Sequence, residues 1–230
     1  MICICFAMDK EAAPLLKAST VKEEKRSGFA KLYLCSLFGK DFLILVSGIG
    51  KGFACAGATA AILLYHPSAL VNAGIAGSLN GKKAPLLSAV VSSGLIQHDM
   101  DTSLLGDPKG MLSGINRVEL PSDESLRSEL QKAAFACGIP CAEGLIASGD
   151  AFLSPGGERK KAVIETFHPL VVDMESACFA QVAFVYGIPY CSLRVISDCE
   201  HPEYEYAQNA LKASERVNSI LKEYLKGECA

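Results

Sequence analysis

The sequence lacks several features that would settle its class at once. No apolar run approaches the ~18 or more residues of a membrane-spanning helix, so no membrane association is expected. No basic block is present: 22 Lys and Arg stand against 25 Asp and Glu, for a net charge of −3. A nucleic-acid partner is not expected from that balance. There is no C-x-x-C pair, and His66, His98, His168 and His201 show no metal-ligand spacing. No metal site is expected from that spacing. Internal repeats and low-complexity linkers are also missing. The opening Met1-Ile2-Cys3-Ile4-Cys5-Phe6-Ala7 has no basic start, is too short for a signal peptide, and reads as a first strand.

What is present points to a well-buried α/β chain. Half of the 230 residues are hydrophobic, enough for one domain over 1–230. The ten cysteines do not suggest a disulfide scaffold, which small secreted chains need when their cores are weak. Cys3, Cys5, Cys35, Cys55, Cys137, Cys178 and Cys191 lie in apolar stretches, where cysteine acts as a small hydrophobe. Free thiols in a reducing cytoplasm are expected.

Short apolar runs at residues 2–7, 42–46, 69–73, 87–91 and 190–196 are too continuous to be one-sided, so they predict strands buried on both faces. Segments 30–37 and 143–147 are weaker strands. Helical patterns cover 52–65, 123–137 and 207–225. Ser122 is the expected N-cap of the second and Gly138 its stop. The fold class is a three-layer α/β arrangement, a mixed central sheet flanked by helices. The stretch 98–121, rich in Asp, Gly, Ser and Pro, is expected to be irregular and either functional or at an interface.

Two acidic signatures stand out: Val171-Val172-Asp173-Met174-Glu175-Ser176-Ala177 and Ser192-Leu193-Arg194-Val195-Ile196-Ser197-Asp198. Each is a strand-like run ending in polar groups, and α/β sheets bind ligands at the carboxyl ends of their strands. One pocket holding Glu175, Arg194 and Asp198 is expected. Ser47-Gly48-Ile49-Gly50-Lys51-Gly52 follows a strand and opens a helix, but matches neither a Walker A loop nor G-x-G-x-x-G. Asn72-Ala73-Gly74-Ile75-Ala76-Gly77-Ser78 reads as a second Gly-rich connection after a strand. On pattern alone both are tight turns. Glu11 could be a cleft base or merely an acid in a helix's first turn. Phe152 could stack on a flat base or sit in the core. Residues 199–206 read as a solvated loop and helix start rather than a metal site.

Taken together and in order, these motifs resemble the nucleoside phosphorylase superfamily, and within it the 5′-methylthioadenosine/S-adenosylhomocysteine nucleosidases. The resemblance spans nearly the whole chain: Ala7-Met8 with Glu11, Ser47 to Lys51, Gly74 to Leu79, Gln97-His98-Asp99, Ser148 to Phe152, Asp173-Met174-Glu175, and Arg194 to Asp198. It implies hydrolysis of the N-glycosidic bond of methylthioadenosine and S-adenosylhomocysteine, without a cofactor, by a homodimer. The first helix, Glu11-Ala12-Ala13-Pro14-Leu15-Leu16, carries no phosphate-binding arginine, which favours hydrolysis over phosphorolysis. The close alternative is 6-amino-6-deoxyfutalosine as substrate; more distant ones are a phosphorylase and a nucleoside-binding protein without catalysis.

The resemblance also implies roles. Asp198, supported by Ser197, would protonate the purine leaving group. Glu11 would activate water, with Arg194 nearby. Glu175 would hold the ribose hydroxyls, with Asp173 beside it and Met174 beneath the sugar. Phe152 and Leu153 would contact the purine. Met8 and Ile49 would line the alkylthio side, and Ile75, Ala76 and Gly77 would complete the binding wall. Ile75 stands where many relatives carry a water-binding serine. Thr102 and Leu105, the latter in place of a usual aromatic, would close a neighbouring subunit's pocket. Tyr204 or Tyr206 would cap the site where relatives use phenylalanine.

Overall fold

The computed structural model describes residues 1–154, 156–199 and 202–227. Ile2–Phe6 (β1) leads into Asp9–Ala18 (α1), then three strands, Thr20–Ser27 (β2), Ala30–Leu37 (β3) and Lys40–Val46 (β4). Lys51–Tyr65 (α2), Ala69–Ser78 (β5), Ala89–Gln97 (β6), Glu119–Pro121 (β7) and Glu124–Ala136 (α3) follow. The remainder is Cys141–Ser148 (β8), Glu158–Phe167 (α4), Val171–Asp173 (β9), Ser176–Tyr186 (α5), Tyr190–Asp198 (β10) and Pro202–Gly227 (α6).

The sheet is mixed, in the order β10-β6-β8-β9-β5-β1-β4-β3-β2, with β7 on β6. β10 also pairs with β5, so β10, β6, β8, β9 and β5 close on themselves like a small barrel. The rest of the sheet stays open and ends at β2. Helices cover both faces. Along β1, Ile2, Ile4 and Phe6 pack with α1, α3 and α6 residues such as Leu15, Leu130, Val217 and Ile220. Cys3 and Cys5 point the other way, toward Ala54, Ala58 and Ala61 of α2 and Phe179 of α5. That alternation explains why the strand reads as continuously apolar: both faces are interior.

Three local expectations need correction. The N-cap of α3 is Asp123, whose Oδ1 accepts from the Leu126 N–H at 3.0 Å; Ser122 instead pairs its hydroxyl with that of Ser92 at 2.6 Å. Gly138 does follow the helix, at φ +67°. The stretch Gly74–Ser78 is no turn but the second half of β5, a ten-residue strand. Small residues are needed there because the neighbouring β10 places large polar side chains over it. Residues 98–121 are largely irregular, as expected, but also hold the 3-10 turn Ser103–Leu105 and the short strand β7. Within 199–206, Glu200 and His201 lie outside the described residues. Among the described residues no helix is long and apolar enough to cross a membrane. All nine described cysteines are free thiols.

Candidate active site

The carboxyl ends of β1, β5, β9 and β10, with the start of α2, surround a cavity of about 330 Å³. Its wall includes every residue expected from this chain's own half of the pocket. These are Met8, Glu11, Ile49, Ile75, Ala76, Gly77, Phe152, Leu153, Asp173, Met174, Glu175, Arg194, Ser197, Asp198 and Tyr206. Ala7, Ala151 and Val172 also line it, and the sequence reading did not name them as site residues.

Register explains the convergence. Gly74 lies opposite Arg194 and Gly77 opposite Asp198 on the parallel β5–β10 pair. A Cβ on Gly74 would stand 2.8 Å from both Arg194 Nη1 and Glu11 Oε1, and one on Gly77 would stand 2.9 Å from Asp198 Oδ2. Glycine is thus required at both positions for the charged groups to pack across the strand.

Four carboxyl residues line the cavity, and three of them, Glu11, Glu175 and Asp198, sit where burial raises their pKa. Glu11 accepts from the backbone N–H of Ile75 at 3.1 Å and of Met8 at 3.2 Å. Burial pushes its pKa up, against the opposing pull of Arg194 and those two hydrogen bonds. Glu175 accepts from the Gly50 N–H at 2.7 Å; burial, reinforced by the charge of Asp173, pushes it up to about 7. Asp198 receives the Ser197 hydroxyl at 2.6 Å. Burial raises its pKa over the lowering effect of that hydrogen bond, and Glu205 adds to the rise. Carboxyls whose pKa is raised by burial are suited to acid–base work.

Asp173 is different. It receives the Ser148 hydroxyl at 2.5 Å, the Ser176 hydroxyl, and the backbone N–H groups of Glu175 and Ser176, both at 3.2 Å. Arg194 Nε donates to it at 2.7 Å, and both side chains are 3% exposed. Burial alone would raise Asp173, but Arg194 and the hydroxyls outweigh it and hold the carboxyl below its usual range. Arg194 Nη2 donates to Asn72 and, at 2.8 Å, to Ser176. Its Nη1 lies, like Glu11 Oε1, beside Gly74. The Asn72–Ser148–Ser176 polar core beneath the cavity escaped the sequence reading of the site; its one signal was polar residues inside apolar strand and helix runs.

The Gly-rich turn before α2 receives this chain's own acids. Its Gly50 N–H holds Glu175, and its Lys51 N–H holds Asp150 Oδ1 at 2.8 Å. The Lys51 ammonium in turn pairs with Asp99 at 2.7 Å and donates to Gln97 at 3.3 Å. Four of the sequence motifs are thereby tied into one frame.

Phe152 is 59% exposed rather than in the core, and Tyr206 meets it edge-on with centroids 6.4 Å apart. Tyr204 is exposed and forms no part of the cavity wall. Thr102 and Leu105 also lie outside that wall, and Leu105 is 84% exposed. No three His, Cys, Asp or Glu side chains among the described residues group as they would around a metal ion.

Residues 1–226 match the family model of the phosphorylase superfamily. The chain belongs to the phosphorylase superfamily. Among members of that superfamily, it is 35% identical over 197 residues to the 5′-methylthioadenosine/S-adenosylhomocysteine nucleosidase of Actinobacillus succinogenes, covering 85% of this chain and 84% of that one. It is 30% identical over 216 residues to the nucleosidase of the same name from Halalkalibacterium halodurans, covering 94% and 93%. Among solved structures, the futalosine hydrolase of Helicobacter pylori superposes with a TM-score of 0.91 at 30% identity, covering 98% of this chain and 97% of that one. The fold expected from the sequence, a mixed sheet flanked by helices, is that of this superfamily.

Proposed function

We propose that this protein is an N-glycosidic hydrolase that cleaves 5′-methylthioadenosine and S-adenosylhomocysteine to adenine and the corresponding thioribose. The observation that carries the reading is one apolar-walled cavity into which Glu11, Glu175 and Asp198 all face. Burial raises the pKa of each. Relatives at 30–35% identity bear the nucleosidase name.

The adenine lies against Phe152 with its edge at Leu153. Asp198 gives its proton to the ring nitrogen at position seven, so that neutral adenine departs rather than an anion. Ser197 steadies the aspartate left behind. Glu175 accepts the ribose hydroxyls, and Met174 packs under the sugar. As the bond to C1′ breaks, the sugar takes on oxocarbenium character. Glu11 holds a water and takes its proton as the oxygen bonds to C1′. Asp173 and Arg194 act by position: their buried pair fixes the start of α5, hence Glu175, and holds Nη1 near Glu11.

A second reading shares the chemistry. The structural likeness to a futalosine hydrolase favours testing 6-amino-6-deoxyfutalosine as a further substrate. Relative kcat/KM for adenine release from the three nucleosides separates the readings. Release from none of them would remove both.

Assembly as a homodimer belongs to the same proposal. Leu104 and Leu105 project fully or nearly fully into solvent, and Leu63, Leu64, Phe184 and Val185 expose apolar surface on α2 and α5. Such surface is common at subunit contacts, and Thr102 and Leu105 would then close the partner's cavity. Free thiols support a reducing, cytoplasmic setting. Sedimentation should show a dimer at micromolar concentration; a fully active monomer would end the shared-site proposal.

A further inference from the structure

A second recess of about 570 Å³ adjoins the cavity, and Ala7, Met8 and Ile49 belong to the walls of both. It is bounded by the β2–β3 hairpin and the start of α2. Phe29 and Phe53 pack face-tilted against each other there, with centroids 4.7 Å apart. Phe29 remains 67% exposed, an unusual position for an aromatic with no partner of its own beyond Phe53. Around this apolar floor stand Asp9, Lys31 and Arg26. Lys31 pairs with Asp9 at 2.7 Å and is largely covered, whereas Arg26 is open to solvent with only a loose, 3.9 Å approach to Glu24. The rim therefore carries two cations to one acid, on a chain whose net charge is −3.

The position of this recess relative to the reaction matters. With the purine at Asp198 and the ribose hydroxyls at Glu175, the 5′ carbon is directed to the Met8–Ile49 wall. A methylthio group ends there. Met8 and Ile49 face both spaces, so a longer 5′ substituent that extends past them would meet the recess. We propose that this recess is a vestibule that reads a carboxylate at the far end of the 5′ substituent, through Arg26 with Lys31 behind it. The proposal rests on the nucleosidase reading above and adds a specificity device to it. Two sources share the chemistry: the amino-acid end of S-adenosylhomocysteine, whose ammonium would meet Asp9, and an aryl carboxylate, whose ring would lie on Phe29.

The test separates binding from turnover. In the Asp198→Asn background, titration calorimetry gives Kd for methylthioadenosine, S-adenosylhomocysteine and 6-amino-6-deoxyfutalosine, with and without Arg26→Ala or Arg26→Glu. The expected result is a fall of about fivefold in preference for a carboxylate-bearing ligand over methylthioadenosine on Arg26→Ala, the range of an exposed ion pair, and a larger fall on Arg26→Glu. That preference should also weaken from low to high salt. A shift on S-adenosylhomocysteine alone assigns the vestibule to amino-acid tails. A shift on the futalosine alone, deepened by Phe29→Ala, assigns it to aryl carboxylates. Equal changes on all three ligands, or none, would overturn the proposal. Turnover by the unmodified enzyme is read separately: if it hydrolyses none of the three while the binding preference still shifts, the hydrolase reading fails and the vestibule stands.

Discussion

Glu175 accepts its 2.7 Å hydrogen bond from the backbone of Gly50, so the acid that heads α5 is docked on the first turn of α2. Its pKa is nonetheless pushed up, by burial first and by Asp173 second, to about 7 from an ordinary 4.5. The folded state therefore binds this proton more tightly than the unfolded chain. The stabilising contribution is complete below about pH 4.5 and is lost as pH rises through about 7; the difference corresponds to about 3 kcal/mol. Glu175→Gln keeps an acceptor for Gly50 and removes the ionisation. The variant should gain melting temperature over the wild type as pH goes from 5 to 8, while losing affinity for ribose-bearing ligands and the rise in kcat/KM near pH 7. A constant melting difference across that range would show that Glu175 does not titrate as described.

Asp198→Asn should abolish most turnover and spare the fold. The side chain is nearly isosteric, and Ser197 can still bond its oxygen. Loss of a general acid costs about 10²–10⁴-fold. Single-turnover adenine release and a melting curve check both halves; near wild-type kcat would remove Asp198 from its role.

Glu11→Gln should lower kcat far more than it weakens substrate binding. Its bonds to the Ile75 and Met8 backbones, one on each carboxylate oxygen, place it, and the amide oxygen can still accept one of them. What it loses is the capacity to take a proton from water, which matters in the transition state only. A weakened Kd with kcat preserved would mean that Glu11 and Glu175 have exchanged functions.

Arg194→Met should cost about 3–5 kcal/mol of stability, because Asp173 would be left charged and buried without its partner. The double variant with Asp173→Asn should recover part of that loss in urea denaturation. Full additivity of the two substitutions would contradict a coupled pair at 2.7 Å.

Much of the site was legible because its residues stand at the ends of strongly apolar strands, as Glu175 and Asp198 do. The strand β1 and helix α2 were equally readable from apolar continuity and small-residue content. Other parts were not. β2, Thr20–Ser27, is a charged edge strand with almost every residue exposed; charge protects such an edge and erases the alternation that marks a strand. α5 is apolar on nearly every side, so it carries no helical stripe. The Gly74–Ser78 glycines suggested a turn, because only the pairing with β10 shows what crosses them. That pairing, and the ring it closes, joins residues more than a hundred positions apart and leaves no local trace. The choice between Tyr204 and Tyr206 likewise depended on helix phase, which places Tyr206 against Phe152.

The most direct measurement is adenine release from methylthioadenosine and from S-adenosylhomocysteine by the purified protein, with and without inorganic phosphate. Hydrolysis by Glu11, Glu175 and Asp198 gives one adenine per nucleoside consumed, at a rate independent of phosphate and lost in Asp198→Asn. Release that requires phosphate, or binding of both nucleosides with no adenine formed, would contradict it.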